Sequence, residues 1–265
     1  MLEKRSTCHA DLDPRGVVTL TLARPEKRNA FSSVMVAELN ELLTWAADQP
    51  TVRALVLRAE GKHFSAGADL ADMRTMAEAD RQENINDAVK LARMLQRLDT
   101  FTRPVLAVVQ GAAYGGAVGL CCCCDSVIVS PQARFCLSEA RLGLAAAVIS
   151  PYVVRTLGPH HARHSVLTAE MMTAEVALQR GLVHEISDDL EAATNTWLEA
   201  VLAGAPGAQA DVKELVQRIH GRPVTDGLIR ETALLIAELR ARPEGREGLA
   251  AFFEKRPPAW APPEE

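Results

Sequence analysis

Aromatic side chains are scarce in this chain: three Trp, two Tyr and six Phe make up 4% of 265 residues. A core must therefore rest on Val, Leu, Ile and Ala. Charge of one sign is not concentrated anywhere. Lys and Arg number 29 against 34 Asp and Glu, a net charge of −5, with no basic block. A nucleic-acid binder carries a basic patch or stripe, so that class is excluded. The N-terminal Met1-Leu2-Glu3-Lys4-Arg5 meets charge at once and never develops the apolar stretch of a signal peptide. Several motifs are missing too: no GxGxxG follows a strand, and there is no GxxxxGK[ST], HExxH or GxSxG. No internal repeat is visible.

One long run lacks charge. Val105 to Cys124 has no charged residue, and about 20 apolar residues can span a bilayer. Gly111, Gly115 and Gly119 even repeat at the spacing that lets membrane helices approach closely. Gln110, Tyr114 and Gly116 interrupt the run, however, and its first residues read as a strand. A buried strand, turn and helix is expected, with no membrane partner. Cysteines are Cys8, Cys121 to Cys124 and Cys136. Four consecutive thiols match neither a disulfide framework nor the paired ligands of a zinc site. On a helix they point about 100° apart, so they read as small buried hydrophobes in a reducing cytoplasm. His160, His161 and His164 read as a solvated helical surface, and no metal is expected.

Hydrophobic residues make up 48% of the chain and charged ones 24%. That is enough apolar surface to order a sizeable core, so disorder is excluded. Val17–Leu22 alternates as a half-buried strand, and Ser33–Ala47 has helical spacing through Val34, Leu39, Leu42 and Leu43, with Ser32 or Ser33 as N-cap. A second strand is expected over 52–57, a helix over 85–98, and a strongly apolar strand over 105–109. Gly111–Gly116 then turns the chain into a helix, and 127–129 and 135–137 read as short strands. A helix follows Ala174, with Gly181 as its C-cap. The last 75 residues or so hold three or four helices, before a tail with Pro257, Pro258, Pro262 and Pro263. This order predicts an α/β core at 1–196 and a helical region at 197–265.

Two glycine-containing turns could do chemistry: His63-Phe64-Ser65-Ala66-Gly67-Ala68-Asp69-Leu70 and Gly111-Ala112-Ala113-Tyr114-Gly115-Gly116-Ala117. Small residues let a ligand approach main-chain N–H groups, which are unpaired at a helix N-terminus. One such group from each turn could hold a developing oxyanion.

These stretches, together with Arg24–Phe31, Cys124-Asp125, Ala133–Glu139 with Leu142-Gly143-Leu144, Gly181-Leu182-Val183 and Phe252–Arg256, make the chain resemble the enoyl-CoA hydratase/isomerase (crotonase) superfamily. The resemblance implies an α/β spiral of ββα units with a C-terminal helical trimerisation region, in a homotrimer or dimer of trimers. It implies an acyl-CoA substrate and no separate cofactor, since coenzyme A is part of that substrate. By position, the N–H groups of Ala68 and Gly116 resemble the oxyanion hole, and Ala66, Ala68 and Leu70 the backbone that receives the adenine. Asp69, Tyr114 and Gly115 accompany them as substrate-binding positions. Lys27, Arg28 and Lys255, the last from a neighbouring subunit, sit where the family places cations around the phosphates, and equally read as ordinary surface charge. Glu139 stands where a glutamate exchanges a proton with the acyl carbons.

The chain also departs from the family. A typical hydratase has a second glutamate where this one has Gly119, so Glu139 must serve both steps of hydration or another group must position water. Ser138, Tyr114, Ser150 and the substrate's own carboxylate are candidates. Ala145-Ala146-Ala147-Val148-Ile149-Ser150-Pro151 replaces a glycine-rich run beside the acyl pocket. The segments Gly111–Leu120, Phe135–Leu144 and Ala147–Pro151 resemble a bacterial branch that holds methylglutaconyl-CoA hydratases of leucine catabolism. The implied reaction is hydration of 3-methylglutaconyl-CoA or a related carboxylated ester, with Arg141 or Arg155 meeting the distal carboxylate. The missing glutamate also suits a Δ3-Δ2 enoyl-CoA isomerase, and a non-catalytic acyl-CoA-binding member is a third class.

Overall fold

The structure, a computed structural model, describes residues 1–261. The chain opens with β1 (Leu2–Lys4), β2 (Cys8–Leu12) and β3 (Val17–Leu22), then α1 (Ser33–Asp48) and β4 (Ala54–Ala59). Next come α2 (Leu70–Glu78), α3 (Arg81–Asp99), β5 (Val105–Val109), β6 (Ala112–Tyr114), α4 (Gly116–Cys123), β7 (Ser126–Val129) and β8 (Arg134–Cys136). After a 3-10 turn over Glu139–Leu142 follow α5 (Ser150–Thr168), β9 (Met172–Thr173), α6 (Ala174–Gln179) and β10 (Glu185–Ile186). The helices α7 (Leu190–Leu202), α8 (Pro206–Ile219), α9 (Asp226–Ala241) and α10 (Pro243–Glu254) complete the order.

The main sheet runs β1-β2-β3-β4-β5-β7-β10, and a small one runs β6-β8-β9. From β3 onward the main sheet is parallel, while β1 and β2 join antiparallel. A parallel sheet is covered on both faces, which is why β5 reads as an unbroken apolar run and is buried at all its positions. Alternate residues point to opposite faces. Val18, Leu20, Leu55, Leu57, Ala107 and Val109 join the large core that α1, α3 and α4 close. Val17, Ala54, Val56, Leu106 and Val108 face the other way, beneath Ala193, Leu198 and Leu202 of α7.

The charge-free run resolves into β5, β6 and α4, and among the described residues no helix is long and apolar enough to cross a membrane. Cys121, Cys122 and Cys123 are buried on α4, and burial pushes their thiols up, that of Cys122 to about 12. His160, His161 and His164 are exposed on α5, and the described residues hold no cluster of metal-ligating side chains.

Helix α1 starts as expected, its N-cap Ser32 accepting from the Met35 N–H, but Val34 is 51% exposed while Met35 and Val36 turn inward. The second strand lies two residues later than expected, at Ala54–Ala59, because Val52 closes a turn onto Gln49. Helix α3 begins at Arg81, four residues early, on an Asp80–Glu83 capping box. The glycine turn contains a strand, since 112–114 pairs with 134–136. β1, β2 and α2 have weak apolar periodicity and the sequence reading does not anticipate them, while α5 bears out the helix expected around His160, His161 and His164. The expected domain junction after residue 196 falls inside α7. Pro262 and Pro263 lie outside the described residues.

Candidate active site

Main-chain hydrogen bonds lay the two glycine-containing loops side by side. Phe64 N–H donates to Gln110 O (2.9 Å), Ser65 N–H to Ala112 O (3.0 Å), and Tyr114 N–H back to Ser65 O (3.0 Å). The segment after β3 braces the first loop from its other side. Phe31 N–H donates to Gly67 O (2.8 Å), Asp69 N–H to Phe31 O (2.9 Å) and Ala66 N–H to Arg28 O (2.9 Å). Gly67 has φ +91°, and a Cβ there would lie 3.1 Å from Tyr114 O, so glycine is what lets the loops touch. Asn29, fully buried in the left-handed region, fixes the brace. Its side chain accepts from Arg24 N–H (2.8 Å) and donates to Glu60 O (2.8 Å) and His63 O (2.9 Å).

This frame leaves two donors free. Among the described residues neither the Ala68 nor the Gly116 N–H has an acceptor. Gly116 is the first residue of α4, where helix geometry provides no partner. Ala68 precedes Asp69, the N-cap of α2, whose carboxylate accepts from Ala71 N–H (2.9 Å) and pairs with Arg24 (3.1 Å). The Ala71 bond, with the Arg24 guanidinium, holds the Asp69 carboxyl below its usual range.

Glu139 enters from the 3-10 turn, which Gly143 closes in the left-handed region. Its carboxylate lies against Gly115: a Cβ on that glycine would be 3.0 Å from Oε1. The other oxygen, Oε2, is buried without a hydrogen-bond partner. Burial pushes the carboxyl up from its ordinary value. A half-buried carboxylate with one unpartnered oxygen thus lines the same cavity as the two free N–H groups, an arrangement whose chemistry allows proton exchange with a molecule held there.

Two cavities meet at Ala68. One, of about 680 Å³, is lined by Phe31, Ala68, Gly116, Glu139, Ala146 and Ile149 among others. The second, of about 610 Å³, is lined by Glu26, Lys27, Arg28, Asp69 and Arg74 and by Ala66, Ala68 and Leu70 among others. Lys27, Arg28 and Arg74 make no ion pair among the described residues and outnumber the one unpaired lining acid, Glu26, while Arg24 neutralises Asp69, so this side suits an anion. Arg74 is a cation that sequence reasoning missed. It lies on α2, a helix with no buried residue and so no apolar pattern to reveal it.

The structure thus brings Glu139, Ala68 and Gly116 to one cavity, and Lys27, Arg28, Ala66, Asp69 and Leu70 to the other. Other expected residues lie elsewhere. Gly115 N–H donates to Cys136 O (2.8 Å), which leaves this glycine to give room to Glu139 rather than to offer a donor. Tyr114 borders neither cavity and contributes through its backbone. Lys255 caps α10, which rests on α8 and α9, and is not among the residues around the cationic cavity. Arg141 donates to Ala169 O (2.8 Å) and Arg155 pairs with Asp99, so neither reaches the Glu139 cavity. Of the groups considered for water, Ser150 donates to Ala146 O (2.7 Å) and Ser138 lines no part of that cavity. Gly119 is roofed by Ile149, whose Cγ2 would be 2.4 Å from a Cβ there.

Fold and site define a mixed α/β protein of the crotonase type. The chain belongs to the enoyl-CoA hydratase/isomerase family, whose model matches residues 13–263. It is similar to a crystal structure of an enoyl-CoA hydratase from Shewanella pealeana, with 44% identity, 96% of each chain covered and a TM-score of 0.94. It is 33% identical to a 2,3-dehydroadipyl-CoA hydratase of Escherichia coli, covering 91% of this chain and 94% of that protein. It is 29% identical to a trans-2-decenoyl-acyl-carrier-protein isomerase of Streptococcus mutans, covering 92% and 94%.

Proposed function

We propose that the protein adds water across the double bond of an α,β-unsaturated acyl-CoA. The observation that carries this is Ala68, whose free N–H stands where a cationic cavity meets the cavity that holds Glu139. The thioester carbonyl sits at that junction, its oxygen between the Ala68 and Gly116 N–H groups. The coenzyme A portion lies towards Lys27, Arg28 and Arg74, and the acyl chain towards Glu139.

The Glu139 carboxylate takes a proton from water as the water oxygen bonds to C3. The displaced electron pair moves through C2 to the thioester oxygen, where the two N–H groups stabilise an enolate. As the enolate collapses, the proton held by Glu139 passes to C2, and the net change is addition of one water. The carboxyl's upward displacement supports this double duty, because a proton acceptor and donor works best with a pKa near the operating pH.

The cavity beside Glu139 is also lined by Asp72 and Asp87 and by no Lys, Arg or His. A carboxylated acyl group such as 3-methylglutaconyl would meet carboxylates there and no cation of its own chain. An uncharged acyl chain fits this lining better. A second reading, double-bond isomerisation of a 3-enoyl ester, is favoured by Ile149 roofing Gly119, since one carboxylate can remove a proton at C2 and return it at C4. Helices α8 and α9 leave Val212, Val216, Ile229 and Leu234 exposed, which supports assembly with further copies of the chain.

The experiment is turnover of crotonyl-CoA, 3-methylglutaconyl-CoA and a 3-enoyl-CoA with product mass analysis. A mass gain of one water, largest with crotonyl-CoA, is expected. An unchanged mass with a relocated double bond makes the protein an isomerase, and preference for the carboxylated ester overturns the reading of the acyl cavity.

A further inference from the structure

Gly119 is a glycine without a conformational reason. It lies in the middle of α4 with φ outside the positive region, where glycine is a poor helix former. Its neighbour supplies the reason. A Cβ at 119 would lie 2.4 Å from Cγ2 and 2.8 Å from Cβ of Ile149, distances that real Cβ atoms do not show. Gly116, three residues earlier on the same helix face, is covered in the same way, with the Phe31 ring 3.3 Å from where its Cβ would be. The two glycines therefore present bare backbone, and Phe31 and Ile149, which rest on it, both line the cavity that holds Glu139.

Ile149 is 3% exposed, yet it borders that cavity, so its side chain is both packed and in reach of a bound acyl group. It is also the residue before α5, and its backbone carbonyl accepts from Val153 N–H (3.0 Å), which pins its Cα to the start of that helix. A side chain so anchored and pressed on a glycine has little freedom to retreat when substrate enters.

We propose that Ile149 determines which acyl groups this site accepts, by setting the width of the cavity at the carbons next to the thioester, and that Gly119 is required to seat it there. The selected feature is branching at C3: the wall is apolar and rigid, and a methyl group at C3 must pack against it. This rests on the reading of the cavity as the acyl site. It does not require that water be added.

The test compares wild type with I149V, I149A and G119A, each checked for folding by circular dichroism. Isothermal titration measures the saturated, unreactive butanoyl-CoA and 3-methylbutanoyl-CoA, and kcat and KM are measured for the corresponding 2-enoyl esters. One methylene in an apolar pocket is worth roughly 10–200-fold in discrimination. I149A is expected to change the ratio of the two affinities by about tenfold or more, in favour of the branched ester, with I149V between it and wild type. G119A pushes Ile149 towards the cavity and is expected to weaken the branched ester by about tenfold more than the straight one. A purely structural Ile149 would lower thermal stability and leave both ratios alone.

The proposal is overturned if folded I149A and I149V keep the wild-type ratio within about twofold, well inside the effect of one methylene. It is overturned also if neither ester binds wild type. If the ratio moves but no variant adds water to the enoyl esters, the role of Ile149 stands and the hydratase reading falls.

Discussion

Replacing Gly115 by alanine tests the seating of Glu139 with a single methyl group. Gly115 has φ 52° and ψ −118°, a combination essentially closed to residues with a Cβ. Holding alanine there costs about 1–3 kcal/mol in backbone strain. The added methyl also meets the Glu139 carboxylate, at 3.0 Å from Oε1, and one of the two must move by a few tenths of an ångström. Gly158 supplies the control. Its φ of 71° and ψ of 158° are similarly restricted, but a Cβ there meets nothing within 4 Å. Both variants are expected to lose about 1–3 kcal/mol by urea unfolding. Only G115A disturbs the proton-transfer group; since ~1 Å of misplacement can cost about 10²-fold, a shift of a few tenths is expected to lower kcat by about tenfold at most. The assay is kcat for enoyl-CoA turnover at saturating substrate, followed by loss of the conjugated thioester's absorbance. A G115A enzyme with unchanged kcat, or a G158A enzyme that loses as much, would refute the placement of Glu139 as the reacting carboxylate.

E139Q should lower kcat by about 10²–10⁴-fold, the usual worth of a general acid–base group. Because burial raises the Glu139 carboxyl, the acid limb of the wild-type kcat/KM profile should lie above the ordinary range near pH ~4.3. The same displacement means that the native state binds the proton more tightly than the unfolded one. Stability therefore falls as pH climbs from the unfolded to the native value, and E139Q should abolish that dependence in urea titrations. D69A removes the N-cap of α2 and the partner of Arg24, and should cost about 1–2 kcal/mol at pH 7. With a depressed native pKa, the Asp69 contribution is present above the unfolded value and disappears as pH falls through the native one, so the two unfolding curves should converge in acid. R74A should raise KM for the acyl-CoA several-fold with kcat kept, and the increase should shrink at high salt, which screens an exposed charge from phosphate. A KM unchanged at low salt would remove Arg74 from the binding site.

Local pattern made parts of this molecule legible in advance. Val105–Val109 is an unbroken apolar run because a central parallel strand is buried on both faces, so length and composition sufficed. The Ser32-Ser33 pair marked the start of α1 because N-capping is a contact within four residues, and the structure gives the role to Ser32. The two glycine turns were visible as sequence motifs, whereas Glu139 was singled out only through the family likeness.

Contacts distant in sequence were not legible. Helix α2 carries Arg74 but buries nothing, so no periodicity revealed it. The α3 signal began late because Arg81, Gln82, Glu83 and Asn84 include no apolar residue, while the start is set by the polar Asp80–Glu83 capping box. Arg141 and Arg155 had the right charge for a distal carboxylate, yet one is spent on Ala169 and the other on Asp99, 56 residues away in the chain. Above all, the sequence shows a glycine at 119 and an isoleucine at 149 as separate facts. Only the fold brings α4 against the start of α5 and makes the two positions compete for one volume, because steric exclusion acts between atoms in space and leaves no trace in the order of residues.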